Sequence, residues 1–143
     1  MKNTKLFMFA ACTLFLAACG KQTVKIMTPP DASNRVLFSA EQLQTTLDKA
    51  GYQVMMQQGD TTFSDPEIKT ILLTEVNDTT LKKEGFHITT AGNLTRVCGR
   101  DGSGVIYGCR ELIDRVNDSE GKLNFPEELK DGPEMVLRGA CVG

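Results

Sequence analysis

The stretch from Gly85 to Val116 constrains the fold most, because several local signals follow one another in it without a gap. Phe86-His87-Ile88-Thr89-Thr90 alternates apolar with polar, Ala91-Gly92-Asn93 supplies turn residues, and Leu94-Thr95-Arg96-Val97-Cys98-Gly99 alternates again. That pattern predicts a β-hairpin. Asp101-Gly102-Ser103-Gly104 forms a second turn. Beyond it Val105, Cys109, Leu112 and Val116, with Ile106 and Ile113 beside them, fall on one face of an amphipathic helix that ends over residues 117–121.

The preceding segments extend the pattern. Ile68 to Val76 is β-branched and nearly continuously apolar at its centre, as expected of a strand buried on both faces in the middle of a sheet. Ser39-Ala40-Glu41-Gln42 reads as a capping box, with Leu43, Leu47 and Ala50 following at helical spacing and Gly51 closing the helix. Tyr52 to Gln57 forms another strand. Val24-Lys25-Ile26-Met27 alternates only briefly before Pro29-Pro30, and reads as a short edge strand or a tether. Helix, strands, hairpin and helix in that order indicate an α+β fold, a mixed β-sheet covered by helices on one face.

The first twenty residues belong to a different regime. A short basic head, Met1-Lys2-Asn3-Thr4-Lys5, is followed by an uncharged apolar run that ends in small residues. This is the layout of a helical signal peptide, and the run is too short for a span of about 20 apolar residues. Leu16-Ala17-Ala18-Cys19 resembles the bacterial lipobox, which makes Cys19 the expected site of lipidation and places the mature chain on a membrane through its lipid anchor. The expected organisation is a lipoprotein signal peptide over 1–18, a lipidated tether over 19–34, an α+β domain over 35–130 and the start of a following domain over 131–143. The cell envelope is the expected location, with the outer membrane favoured.

Removing residues 1–18 from 143 leaves 125, which suits one domain. The formal charge of −2 becomes −4, since Lys2 and Lys5 leave and no acid does. With basic residues scattered, nothing suggests a nucleic-acid partner. Of five cysteines, Cys98, Cys109 and Cys141 remain once Cys12 and Cys19 are accounted for. In an oxidising envelope Cys98 and Cys109 could form a disulfide between a strand and the next helix; two unpaired core thiols are the alternative. These cysteines and the single histidine, His87, are too few and too widely spaced to indicate a metal site, and no motif calls for a cofactor.

Gly99-Arg100-Asp101-Gly102-Ser103-Gly104 lies between a strand and a helix, as phosphate-binding loops do. The dinucleotide fingerprint fails, because the third glycine would fall at Tyr107. The glycines are instead expected to serve a tight turn with positive φ. The acidic pairs Asp65 with Glu67, Glu111 with Asp114 and Glu127 with Glu128 are weak candidates for catalysis. Glu111 and Asp114 share a helix face with Arg110 and Arg115, the pattern of a solvated surface.

Phe86-His87-Ile88 followed by Val97-Cys98-Gly99-Arg100-Asp101-Gly102-Ser103-Gly104-Val105-Ile106-Tyr107-Gly108-Cys109-Arg110-Glu111-Leu112 resembles a recurrent stretch of bacterial glycoside hydrolases. It is similar to the non-catalytic α+β domain that precedes the barrel in β-N-acetylhexosaminidases and α-glucuronidases. Asp131 to Gly143, with Arg138-Gly139, resembles the passage into the first barrel strand. The resemblance implies a hexosaminidase domain-2-like fold with no catalytic residue, and a missing catalytic barrel as its partner. Pro133 is followed by Glu134, where hexosaminidases usually carry a sugar-binding arginine, so the glycan is left open. The expected role is an accessory domain of an envelope glycoside hydrolase in carbohydrate degradation. The alternative is a small autonomous lipoprotein that binds an oligosaccharide or a partner protein.

Overall fold

The computed structural model describes residues 20–61 and 65–134. The signal peptide, Cys19, Cys141 and the Arg138-Gly139 pair lie outside the described residues. Six strands and two helices follow in the order β1 (Thr23–Thr28), α1 (Asn34–Lys49), β2 (Gln53–Gln58), β3 (Lys69–Glu75), β4 (Phe86–Ala91), β5 (Leu94–Gly99), α2 (Gly102–Asp118) and β6 (Glu128–Asp131). The strands form one sheet in the order β2-β1-β3-β5-β4-β6. The pairs β1–β2, β1–β3 and β3–β5 are parallel, while β4 pairs antiparallel with β5 and with β6. Thus β4 alone runs against the other five, and the sheet is mixed, as expected.

Both helices bury the same spacing of residues, Val36, Ala40, Leu43 and Leu47 on α1 and Val105, Cys109, Leu112 and Val116 on α2. These two stripes meet Val24 and Ile26 of β1, Ile71 and Leu73 of β3, Val97 of β5 and Phe86 and Ile88 of β4 in one core. By strand alternation and register all of those strand residues share one sheet face, so both helices cover that face. Each large side chain so buried contributes about 1.5–3 kcal/mol, and the two stripes carry most of the packing between the layers. The Lys69 ammonium lies over the Phe125 ring, 5.6 Å from its centroid.

The hairpin forms as expected, from Phe86↔Gly99 to Ala91↔Leu94, with Gly92 at φ 57° in its two-residue turn. The strand read from Ile68–Val76 is central, with Ile71, Leu72 and Leu73 all buried. Two expectations fail. Residues 23–28 are neither edge strand nor tether: β1 is paired on both sides, and Val24 and Ile26 are fully buried. Its brief alternation is sufficient because parallel partners on each flank supply the hydrogen bonds. The capping box at Ser39 is also displaced. The cap lies six residues earlier, with Ser33 as N-cap accepting from the Val36 amide, while Ser39 is buried inside the helix and donates back to the Arg35 carbonyl at 2.8 Å.

Candidate functional site

The β5–α2 junction holds the glycine run. Asp101 is the N-cap of α2: its Oδ1 accepts from the Gly104 amide at 2.9 Å and its Oδ2 from the Glu84 amide at 2.9 Å. One carboxylate thereby fills the anionic seat that a helix N-terminus offers and ties the β4 approach to the helix. Arg100 completes the tie, donating from its side chain to the Leu81 carbonyl at 2.6 Å and from its amide to the Gly85 carbonyl at 2.9 Å.

The glycines serve proximity rather than positive φ, contrary to expectation: Gly99, Gly102 and Gly104 are absent from the positive-φ glycines of the described residues. A Cβ on Gly104 would overlap the Gly85 carbonyl, one on Gly99 would lie 2.7 Å from both the Asp101 carbonyl and Val105 Cγ2, and one on Gly108 would lie 2.5 Å from Val97 Cγ1. The run exists so that α2 can lie directly on the sheet.

The helices are clamped to each other at both ends. Arg35 donates to Ser103 Oγ at 2.8 Å beside the two N-termini, where the Ser33 hydroxyl also donates to Glu75. At the opposite ends the Tyr52 hydroxyl donates to the Gly121 carbonyl at 2.8 Å.

No disulfide joins Cys98 and Cys109, which are both free thiols. Cys109 points from α2 into the core, whereas Cys98 alternates with the core residue Val97 and so faces the other side of the sheet. The sheet itself separates them. Burial pushes the Cys109 thiol up to about 12, against a Ser39 hydrogen bond that acts the other way, and burial raises Cys98 as well. Both are therefore held as neutral thiols, the opposite of an activated nucleophile.

The remaining candidates have partners close by. His87, on the same face as Cys98, pairs with Glu128 at 3.1 Å. Glu111 pairs with Arg115 at 2.7 Å one turn along α2, and Asp65 accepts the Glu67 amide at 2.9 Å in a turn. Glu111 and Asp114 line one hollow together with Glu84 and Asp131. Among the described residues no group of His, Cys, Asp and Glu could hold a metal ion, and no helix is long and apolar enough to cross a membrane.

Residues outside the expected set are drawn together on the outer side of the helix pair. Phe38 of α1 is 51% exposed and Tyr107 of α2 is 37% exposed, each on the side of its helix away from the buried stripe. A groove of about 300 Å³ runs between Phe38 on one wall and Ile106 and Ile113 on the other. A second hollow of about 230 Å³ shares Arg110 and Asp114 with it and is bounded by Tyr107 and by residues 131–133. The sequence signal for this surface is a large apolar side chain on the polar side of an otherwise amphipathic helix.

Residues 17–128 match the family profile described as glycosyl hydrolase family 20, domain 2. The chain belongs to this family. Family 20 domain 2 is the non-catalytic α+β domain that the glycine run resembles, and the six-stranded mixed sheet with two helices on one face is consistent with it. Among solved structures the chain is similar to a GH138 enzyme targeting pectin rhamnogalacturonan II, with 44% identity and a TM-score of 0.69. The match covers 84% of this chain and 17% of that enzyme, so the domain spans about a sixth of the relative's length. No curated protein matches. One domain type therefore accompanies glycoside hydrolases of two families, and its presence does not specify the sugar.

Proposed function

We propose that this chain is an accessory domain of an envelope-anchored glycoside hydrolase, which supports a catalytic barrel and supplies no catalytic residue. The observation that carries the proposal is the match of 84% of this chain to only 17% of a much longer glycoside hydrolase. The site geometry supports it: both thiols are held neutral, the Asp101 carboxylate is engaged in capping α2, and Glu111 is paired with Arg115. Cys19, in its lipobox-like setting, is the proposed lipid attachment point, which would retain the enzyme in the envelope, with the outer membrane as the favoured site. The substrate is a glycan.

Reading the gene beyond the codon for Gly143 tests the accessory role. An open frame encoding alternating strands and helices with an acidic pair is expected. A terminator there, together with a folded, monomeric product that binds oligosaccharide or a partner protein, would establish the autonomous lipoprotein instead. Turnover of aryl glycosides by the 143-residue chain, lost on substitution of one of its own acids, would overturn the non-catalytic assignment.

A further inference from the structure

We infer that β2 joins two copies of this chain edge to edge, so that their sheets continue into one another across antiparallel β2 strands related by a two-fold axis at Met55. The inference goes beyond the accessory-domain reading and concerns the edge of the sheet opposite β6. Three observations carry it.

The first is that this edge is open. Among the described residues β2 pairs with β1 alone. The Gln53 amide donates to the Gln22 carbonyl and the Gly59 amide to the Thr28 carbonyl, both at 3.0 Å. By the alternation of a parallel ladder, residues 53, 55 and 57 turn their backbone groups toward β1, and Val54, Met56 and Gln58 turn theirs outward. The outward groups are a template for another strand.

The second is that the two edges of the sheet are built differently. β6 is four residues long and carries Glu128, Lys130 and Asp131, the short, charged form that discourages pairing. β2 is six residues long, Gln53-Val54-Met55-Met56-Gln57-Gln58, with neither a charge nor a proline. Met55 and Met56 are 46% and 43% exposed. An uncharged strand of this composition pairs readily with its like.

The third decides the occupant, because the strand is complementary to itself. Val54 and Met56 are in register with the core residues Val24 and Ile26 and so lie on the helix side, while Gln53, Met55 and Gln57 lie on the other. When two sheets join with their helices on one side, opposed residues share a face. With Met55 opposite its own copy, Val54 falls opposite Met56 of the other copy, and Gln53 opposite Gln57. Each apolar side chain then meets an apolar one and each amide an amide. Val54 and Met56 exchange backbone hydrogen bonds, since theirs are the groups that point outward. A centre at Met56 would instead set Val54 against Gln58 and Met55 against Gln57. Charge does not oppose the pairing: Lys25, in register with Met55, stays three strand spacings, about 14 Å, from its copy, beyond the screening length of about 8–10 Å.

Cysteine substitutions in the intact natural polypeptide, oxidised with copper–phenanthroline and read on non-reducing gels against the parent, test the inference. Across the two-fold axis the residue 55 Cα atoms lie about 4.5 Å apart, so Met55→Cys should give covalent dimer severalfold above the parent's background. The residue 56 Cα atoms lie about 9 Å apart, beyond disulfide reach, so Met56→Cys should stay at background. Any other pattern overturns the inference, whether both variants stay at background, both cross-link, or Met56→Cys alone does. Sedimentation over a concentration series adds a second measurement. Met55→Lys places like charges on the axis and should weaken the dimer about tenfold or more, with the melting temperature of the monomer unchanged because Met55 is exposed. A parent that is monomeric throughout the series, or a dimer indifferent to Met55→Lys, would overturn the inference and leave the accessory role standing.

Discussion

A methyl group at residue 104 has nowhere to go: placed on the backbone it overlaps the Gly85 carbonyl, which is already receiving the Arg100 amide. Gly92, by contrast, has φ 57° and open space around it. Replacement by alanine should separate the two causes. Gly104→Ala is expected to lose about 3 kcal/mol or to prevent folding, since backbone must move, and Gly92→Ala about 1 kcal/mol, from the dihedral alone. Urea midpoints measured on both check this, and equal losses would sink the packing explanation. The sequence displayed the glycines but not their reason, because close approach is a property of two segments and φ of one. Cys109 carries a second residue-scale consequence. Its thiol ionises near 9 when unfolded and about 12 when folded. Between those pH values the unfolded chain binds fewer protons, so stability is unaffected by this group below about pH 9 and falls as pH rises above it, on the order of 1 kcal/mol per unit. Cys109→Ala should flatten that part of the stability–pH profile relative to the parent, measured by urea unfolding from pH 8 to 11.

At the scale of elements, the hairpin and the continuously apolar β3 were legible, whereas the role of β1 and the start of α1 depend on partners far away in sequence. The hairpin of β4 and β5 closes within two residues and α2 follows at once, so alternation and helical spacing located all three. The start of α1 was misplaced because Ser33 has Val36 where a capping box would place Glu or Gln, whereas Ser39 has Gln42. What makes Ser33 the cap is Glu75, 42 residues away at the end of β3, which receives its hydroxyl. Ser33→Ala should therefore cost about 1 kcal/mol and Ser39→Ala less, since the latter removes a donor bonded within its own helix and only a weak bond to the Cys109 thiol. Thermal melts of the two variants decide the matter, and the reverse order would restore the later start. The same reasoning applies to β1, whose partners begin at residues 53 and 69. A chain lacking residues up to 22 should still unfold cooperatively, and one lacking residues up to 28 should not, because the centre of the sheet would be missing. Circular dichroism during denaturation distinguishes these outcomes.

Across the whole molecule, the glycine run at the β5–α2 junction was the legible part of the candidate site. The pairing of Cys98 with Cys109, one of the two readings the sequence left open, does not form because the sheet lies between them, a relation that alternation shows only once the helix is known to cover the other face. The outer surface around Phe38 and Tyr107 was not legible, since it depends on two helices whose first residues, Asn34 and Gly102, are 68 apart in sequence, lying side by side. If Cys19 is lipidated as proposed, Cys19→Ala should move the protein from the detergent-rich to the aqueous phase in Triton X-114 partition, and retention in the detergent phase would exclude that anchor. Only residues 20–22 then separate the lipid from the first residue of β1. Because β1 is flanked on both sides by parallel strands, a pull on the anchor is taken in shear, with its hydrogen bonds loaded together instead of unzipped one by one. β6 runs in the same direction as β1, so the chain enters at one end of the sheet and leaves at the other. A six-residue strand is about 20 Å long, so the start of β1 and the end of β6 lie about that far apart along the strand direction.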